Sequence, residues 1–111
     1  MLRSWTGDFI ITQDDIAKAA ASLDQRTKND IQFAYDQVFT FAKKQRESML
    51  EFETELHPGV VAGQKLIPVN VAGCYVPGGR FAHAASALMS IATAKAAGVP
   101  YVVACSPSHH G

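Results

Sequence analysis

Apolar residues along this chain alternate between helical spacing and short unbroken runs, and the change of period lays out its elements. Thr12-Gln13-Asp14-Asp15 reads as a helix start: a hydroxyl can cap the first amides, and the acidic groups face the positive end of the dipole. Ile16, Ala20 and Leu23 then fall on one helical face. A second start is expected at Thr27, with Asp30 three residues on in the manner of a capping box. Ile31, Ala34, Tyr35, Val38, Phe41 and Ala42 keep helical spacing, and Met49 and Phe52 extend it. Lys43, Lys44, Arg46, Glu47 and Glu51 then make an ordinary solvated face.

His57-Pro58-Gly59 breaks this pattern and predicts a turn. Val60 to Val69 predicts two short strands, and Pro68, which has no amide donor, pushes the second towards an edge or a strand end. The character changes near Asn70. Val71 to Val76 is an apolar run of buried-strand type, Pro77-Gly78-Gly79-Arg80 is a loop, and Ala82 to Ala97 is a small-residue helix with Gly98 placed as its C-cap. Tyr101 to Cys105 is another apolar strand, stopped by Ser106-Pro107. Strand, glycine loop, helix and strand in this order form a βαβ unit of a parallel sheet.

The fold expected is therefore α/β. Residues 1–70 are an N-terminal region of helices and short strands, and residues 71–111 are the first βαβ unit of an incomplete Rossmann-like parallel sheet. One crossover supplies too few strands for a stable parallel sheet, which is normally covered on both faces. The chain is thus expected to be a fragment, or to borrow the rest of its sheet from another chain.

Composition narrows the function classes. Hydrophobic residues make up 48% of the 111 positions and charged residues 18%, as in a soluble globular protein. Ten basic and ten acidic residues balance, which argues against a nucleic-acid binder with its basic face and against a polybasic membrane anchor. The start has no signal-peptide core, and no apolar run is long enough to span a membrane. Two cysteines, Cys74 and Cys105, do not make a disulfide scaffold and suit a reducing compartment, so cytoplasm is expected. Both read as small buried hydrophobes.

Candidate chemistry sits in Gly73-Cys74-Tyr75-Val76-Pro77-Gly78-Gly79-Arg80. A glycine pair between strand and helix lets a ligand approach backbone amides at a helix N-terminus, although such glycines also serve tight turns. The dinucleotide fingerprint G-x-G-x-x-G is absent. Gly73 and Gly78 have the P-loop spacing, but Gly79-Arg80 stand where its lysine and hydroxyl are needed, so a magnesium-dependent NTPase is not expected. His109-His110 and His57 read as loop residues rather than metal ligands. Phe33, Tyr35, Phe39 and Phe41 span more than one helix face and read as packing, partly at a subunit interface.

Gly73 to Arg80, followed by Ala84-Ala85-Ser86-Ala87-Leu88-Met89 and Ala94-Lys95-Ala96-Ala97-Gly98-Val99, resembles the histidinol dehydrogenase signature, which runs G-x-Y-V-P-G-G, S-S-V-L-M and P-A-K-x-A-G-V. The long helix ending near Lys44-Gln45-Arg46 and the Gly63-Gln64 pair extend the resemblance upstream. It implies a zinc- and NAD-dependent oxidation of a primary alcohol to a carboxylate through a bound aldehyde, with a Glu-His acid–base pair, in a homodimer. By the same resemblance Tyr75 contacts the nicotinamide cofactor, and Pro77, Gly78 and Gly79 shape the adjoining loop. The zinc ligands and the Glu-His pair belong to family segments past residue 111, so no catalytic or metal residue is assigned here.

The pattern departs from the histidinol-specific one at Phe81-Ala82-His83 and Ala85. It looks more like the sulfopropanediol dehydrogenase branch, whose substrate carries a sulfonate in place of an imidazole. Arg80 and His83 are then candidate donors to an anionic substrate or a cofactor phosphate; read without the resemblance, they are an exposed loop arginine and a helix-start histidine. L-histidinol as substrate, and a non-catalytic interaction fragment, are the alternative expectations.

Overall fold

The computed structural model describes residues 9–78 and 82–107. Its contacts group into two compact units, one reaching Gln32 and one starting at Phe33. The elements in chain order are α1 (Gln13–Ser22), α2 (Gln25–Ser48), β1 (Phe52–His57), β2 (Val60–Gln64), β3 (Val71–Tyr75), α3 (Ala84–Ala96) and β4 (Tyr101–Cys105).

The α1 start follows the sequence closely. The Thr12 hydroxyl accepts from the Asp15 amide at 3.2 Å, and the Asp15 carboxylate takes the Thr12 amide in return, a reciprocal capping box. The second helix starts earlier than Thr27. Asp24 is its cap, with Oδ1 accepting from the Thr27 amide at 2.7 Å, and Thr27 lies inside the first turn. A carboxylate placed to accept that amide outcompetes a hydroxyl three residues later. The Asp24 carboxyl is held below its usual value by the Thr27 amide first and the Thr27 hydroxyl second.

The same helix ends at Ser48, before Met49 and Phe52, and there the helical expectation was too long. The Ser48 hydroxyl donates to the Gln45 carbonyl at 2.7 Å and ties off the last turn. From Phe52 the sequence alternates apolar and polar through Leu56, a strand period, and β1 pairs antiparallel with β2. The register slips between Glu55 and His57, so Leu56 forms a bulge next to the Pro58-Gly59 turn. Glu55 Oε1 also accepts from the Gly59 amide at 2.9 Å. The two strands expected over Val60 to Val69 reduce to one. β2 stops at Gln64, and Leu66 to Val69 have no strand pairing.

The third element group is the βαβ unit. β3 and β4 pair in parallel, in strict register from Val71↔Tyr101 to Tyr75↔Cys105, and α3 crosses over both. Its end is a complete Schellman closure: the Gly98 amide donates to the Lys95 carbonyl at 3.0 Å, and the Val99 amide to Ala94 at 3.2 Å. Gly98 holds φ +84°, the left-handed conformation that a side chain would strain. Small residues let helix and sheet approach. Ala92 and Ala96 on α3 and Cys74 on β3 are buried, and with Ala42 on α2 they are the buried apolar residues among those described.

Strand alternation separates two faces of this sheet. Ala72 and Cys74 lie on the α3 side, while Val71 and Tyr75, with Tyr101, Val103 and Cys105 opposite, lie on the other side and stay exposed. The run Val71 to Val76, expected to be wholly buried, is therefore buried on one face only. Exposed Phe33 and Phe41 and the Tyr35–Phe39 stack, with ring centroids 5.7 Å apart, leave α2 likewise only half covered. No helix among the described residues is long and apolar enough to cross a membrane.

Two predictions follow from this packing. Ala92 has no exposed surface, so Ala92→Leu forces α3 off the sheet and costs about 1–3 kcal/mol, read as a lower urea midpoint. The lowered Asp24 pKa means that its carboxylate stabilises α2 above the unfolded pKa and loses that effect as pH falls through the folded value. Asp24→Ala should lower the urea midpoint at neutral pH, and the gap from the parent should close in acid; a gap independent of pH would refute the cap.

Candidate functional site

The parallel pairing brings the carboxyl ends of β3 and β4 and the amino end of α3 to one edge of the sheet. In open α/β sheets this is the edge where ligands bind. Tyr75 is the last residue of β3 and 63% exposed. Its cross-strand partner is Cys105, the last residue of β4. The ladder runs one step further, since the Val76 amide donates to the Cys105 carbonyl at 2.8 Å. Both strands therefore leave the sheet together. Tyr75 stands where the uncovered face meets the carboxyl edge.

Beyond Tyr75, Val76 and Pro77 are half-buried and Gly78 is exposed. Gly78 lies directly against the ring of Pro107 in the segment after β4: a Cβ added there would collide with Cγ and stand 3.2 Å from Cδ. The glycine permits a close approach of two loops that a side chain would prevent. Gly79 and Arg80 lie outside the described residues, as do Phe81 and the His109-His110 pair.

His83 is exposed and occupies the N-cap position of α3, with φ −93° and ψ 54° and no hydrogen bond from its side chain to the helix amides. The first-turn amides of a helix have no intrahelical acceptor, so donors remain at the loop's far end. Such a terminus suits an anionic group. The donor chemistry present, a strand-end tyrosine, a glycine-opened loop and an uncapped helix start, thus fits a nucleotide cofactor along this edge. It does not fit a metal. Among the described residues no group of three or more His, Cys, Asp or Glu side chains stands close enough to hold an ion.

One residue of this edge was misjudged from the sequence. Cys74 is buried as expected, but Cys105 is exposed. Alternation puts the two thiols on opposite faces, because Cys74 pairs with Ala104 and Cys105 with Tyr75. Pro107 was read only as a strand stop. Neither outcome had a signal within its own segment, because both follow from the parallel register that ends Tyr75 level with Cys105.

An open groove of about 660 Å³ also runs between β3 and α3, past Cys74, Met89 and Ser90. It lies beside this edge and touches neither Tyr75 nor His83. The Ser90 hydroxyl on its wall is already bonded to the Ser86 carbonyl at 2.7 Å, so that group does not point to a ligand.

The parallel βαβ unit makes this an α/β protein of Rossmann-like type, and comparison with known proteins gives the family. A family model described as histidinol dehydrogenase matches residues 3–111. The chain belongs to the histidinol dehydrogenase family. It is 54% identical over 108 residues to a histidinol dehydrogenase homolog of Pelagibacter ubique, an alignment covering 96% of this chain and 25% of that protein. It is 47% identical over 107 residues to the sulfopropanediol 3-dehydrogenase of Ruegeria pomeroyi, covering 96% of this chain and 25% of the relative. With the histidinol dehydrogenase of Methanococcus maripaludis it shares 36% identity over 100 residues, 90% of this chain and 23% of the relative. The chain therefore spans about a quarter of the length of these relatives.

Because Tyr75 is largely exposed, Tyr75→Ala should leave the thermal midpoint of this chain nearly unchanged, within about 0.5 kcal/mol of stability. A large loss would show that the ring is packed for the fold rather than held ready for a ligand.

Proposed function

We propose that this chain is the N-terminal portion of a zinc- and NAD-dependent dehydrogenase that oxidises a primary alcohol to a carboxylate through an aldehyde, with a sulfopropanediol-type substrate. The observation that carries the reading is the position of Tyr75: exposed, at the carboxyl end of a parallel strand, just before the glycine loop that leads to α3. NAD, when bound, accepts hydride from the alcohol carbon. Tyr75 would offer an aromatic face and a hydroxyl to the nicotinamide portion, and Pro77 and Gly78 would give it a backbone wall; Gly79 is assigned to the same loop by the family resemblance alone. The α3 amino end offers amides to a phosphate. In the same reading Arg80 and His83 would be the donors to the anionic end of the substrate or to the cofactor phosphate.

Higher identity to the sulfopropanediol dehydrogenase, 47%, than to the histidinol dehydrogenase, 36%, supports the choice of substrate branch. In this reading the zinc ligands and the Glu-His pair would come from family segments not represented in these residues. The uncovered apolar faces of α2 and of the β3–β4 pair support a larger body of protein around this unit, as in a homodimer of full-length subunits.

Two measurements test the proposal. The full-length enzyme with zinc and NAD should reduce the cofactor with dihydroxypropanesulfonate and not with L-histidinol; the opposite preference overturns the substrate branch. Tyr75→Ala should raise the NAD dissociation constant about tenfold, the loss of one aromatic contact, with zinc content intact. Unchanged cofactor affinity removes Tyr75 from the site.

A further inference from the structure

The contact between Gly78 and Pro107 joins two loops that leave neighbouring parallel strands. Three features give it a direction. First, the bond from the Val76 amide to the Cys105 carbonyl, 2.8 Å, keeps the two chains in step one residue past the strands. Second, Gly78 and Pro107 meet two residues beyond that point. The space a Gly78 Cβ would take is already occupied by Pro107: it would collide with Cγ and stand 3.2 Å and 3.6 Å from Cδ and Cβ. Cγ is the nearest ring carbon and Cδ and Cβ lie behind it, so the ring meets the glycine edge-on through its Cγ corner. Third, a pyrrolidine ring is closed onto its own backbone and cannot swing aside as a long side chain does. Upstream, Pro77 has its own φ locked, so Gly78 is the first residue after Tyr75 with freedom to turn.

We infer that Pro107 is a positioning residue for the cofactor loop: its ring, seated on Gly78, sets the path of the chain immediately after Tyr75. The inference rests on the proposal that this loop borders NAD. Pro107 acts through Gly78 and touches no reacting atom. Its effect belongs in cofactor binding, because the strand that carries Tyr75 is held by its own ladder whether or not the loop is fixed.

The test is a double-mutant cycle in the full-length enzyme with Gly78→Ala, Pro107→Ala and both together, reading NAD dissociation constant, NAD KM, kcat and thermal midpoint. Gly78→Ala should raise the dissociation constant and KM by about tenfold or more, the scale of an overpacked contact, with kcat at saturating NAD little changed. Pro107→Ala alone should raise KM by about threefold through a looser loop, again without a matching loss of kcat. In the double variant the shortened side chain makes room for the new methyl group, so most of the Gly78→Ala defect should be recovered.

Additive effects of the two substitutions on NAD binding overturn the inference, as does a Pro107→Ala enzyme with parental KM. The second criterion holds even if Gly78→Ala fails to fold. If Tyr75→Ala raises the NAD dissociation constant while the cycle is additive, only the role of Pro107 fails. If Tyr75→Ala and every variant of the cycle leave NAD binding untouched, the cofactor reading and this inference fall together, and coupling in the thermal midpoint then reports a purely structural contact.

Discussion

The parallel pairing of β3 with β4 beneath α3 is the constraint on which the candidate site depends. Parallel strands need a crossover, and here the crossover helix is made of residues small enough to lie against the sheet. Ala92 and Ala96 are buried under it together with Cys74. Once that packing is set, the in-register ladder from Val71↔Tyr101 to Tyr75↔Cys105 brings both strand ends to one edge. The amino end of α3 returns to the same edge. Tyr75, Cys105, the glycine loop and Pro107 thus become neighbours without any contact made for that purpose alone.

The apolar surface is unevenly covered. The α3 side of the sheet is partly covered, with Cys74 buried, while Val71, Tyr75, Tyr101 and Val103 on the other side are exposed. β1 and β2 are exposed along their whole length. A strand rich in apolar residues and uncovered on one face is half of a sandwich, and the chain spans only about a quarter of its relatives' length. The ion pair between Lys44 and Glu47, 2.6 Å long, lies exposed on one turn of α2 and belongs to the class worth least.

The candidate site combines an exposed strand-end tyrosine, a close loop–loop contact at Gly78 and a helix start. Tyr75 and the loop after it have the aromatic and backbone character to hold a nucleotide. No metal-binding cluster occurs among the described residues. The family membership rests on a match to residues 3–111, while the geometry of Tyr75 and the loop after it underlies the proposed role of this edge.

Several features were legible in the sequence because they depend on residues close together in the chain. The Thr12–Asp15 cap, the Pro58-Gly59 turn, the Gly98 closure and the two apolar strands around a small-residue helix are of this kind, since caps and turns are set by local hydrogen bonds and by φ. The Tyr-Val-Pro-Gly-Gly run also identified the family by itself. Where two local signals competed, the sequence misled: a hydroxyl at Thr27 hid the stronger carboxylate at Asp24, and helical spacing through Phe52 hid the strand alternation that starts there. Long-range pairing was not legible at all. That β1 exists is decided by β2, which supplies its hydrogen bonds; that Cys105 is exposed beside Tyr75 is decided by parallel register; and that Pro107 lies on Gly78 is decided by two strands ending level. Each depends on which backbone groups find partners across the fold, and no spacing within one segment carries that information.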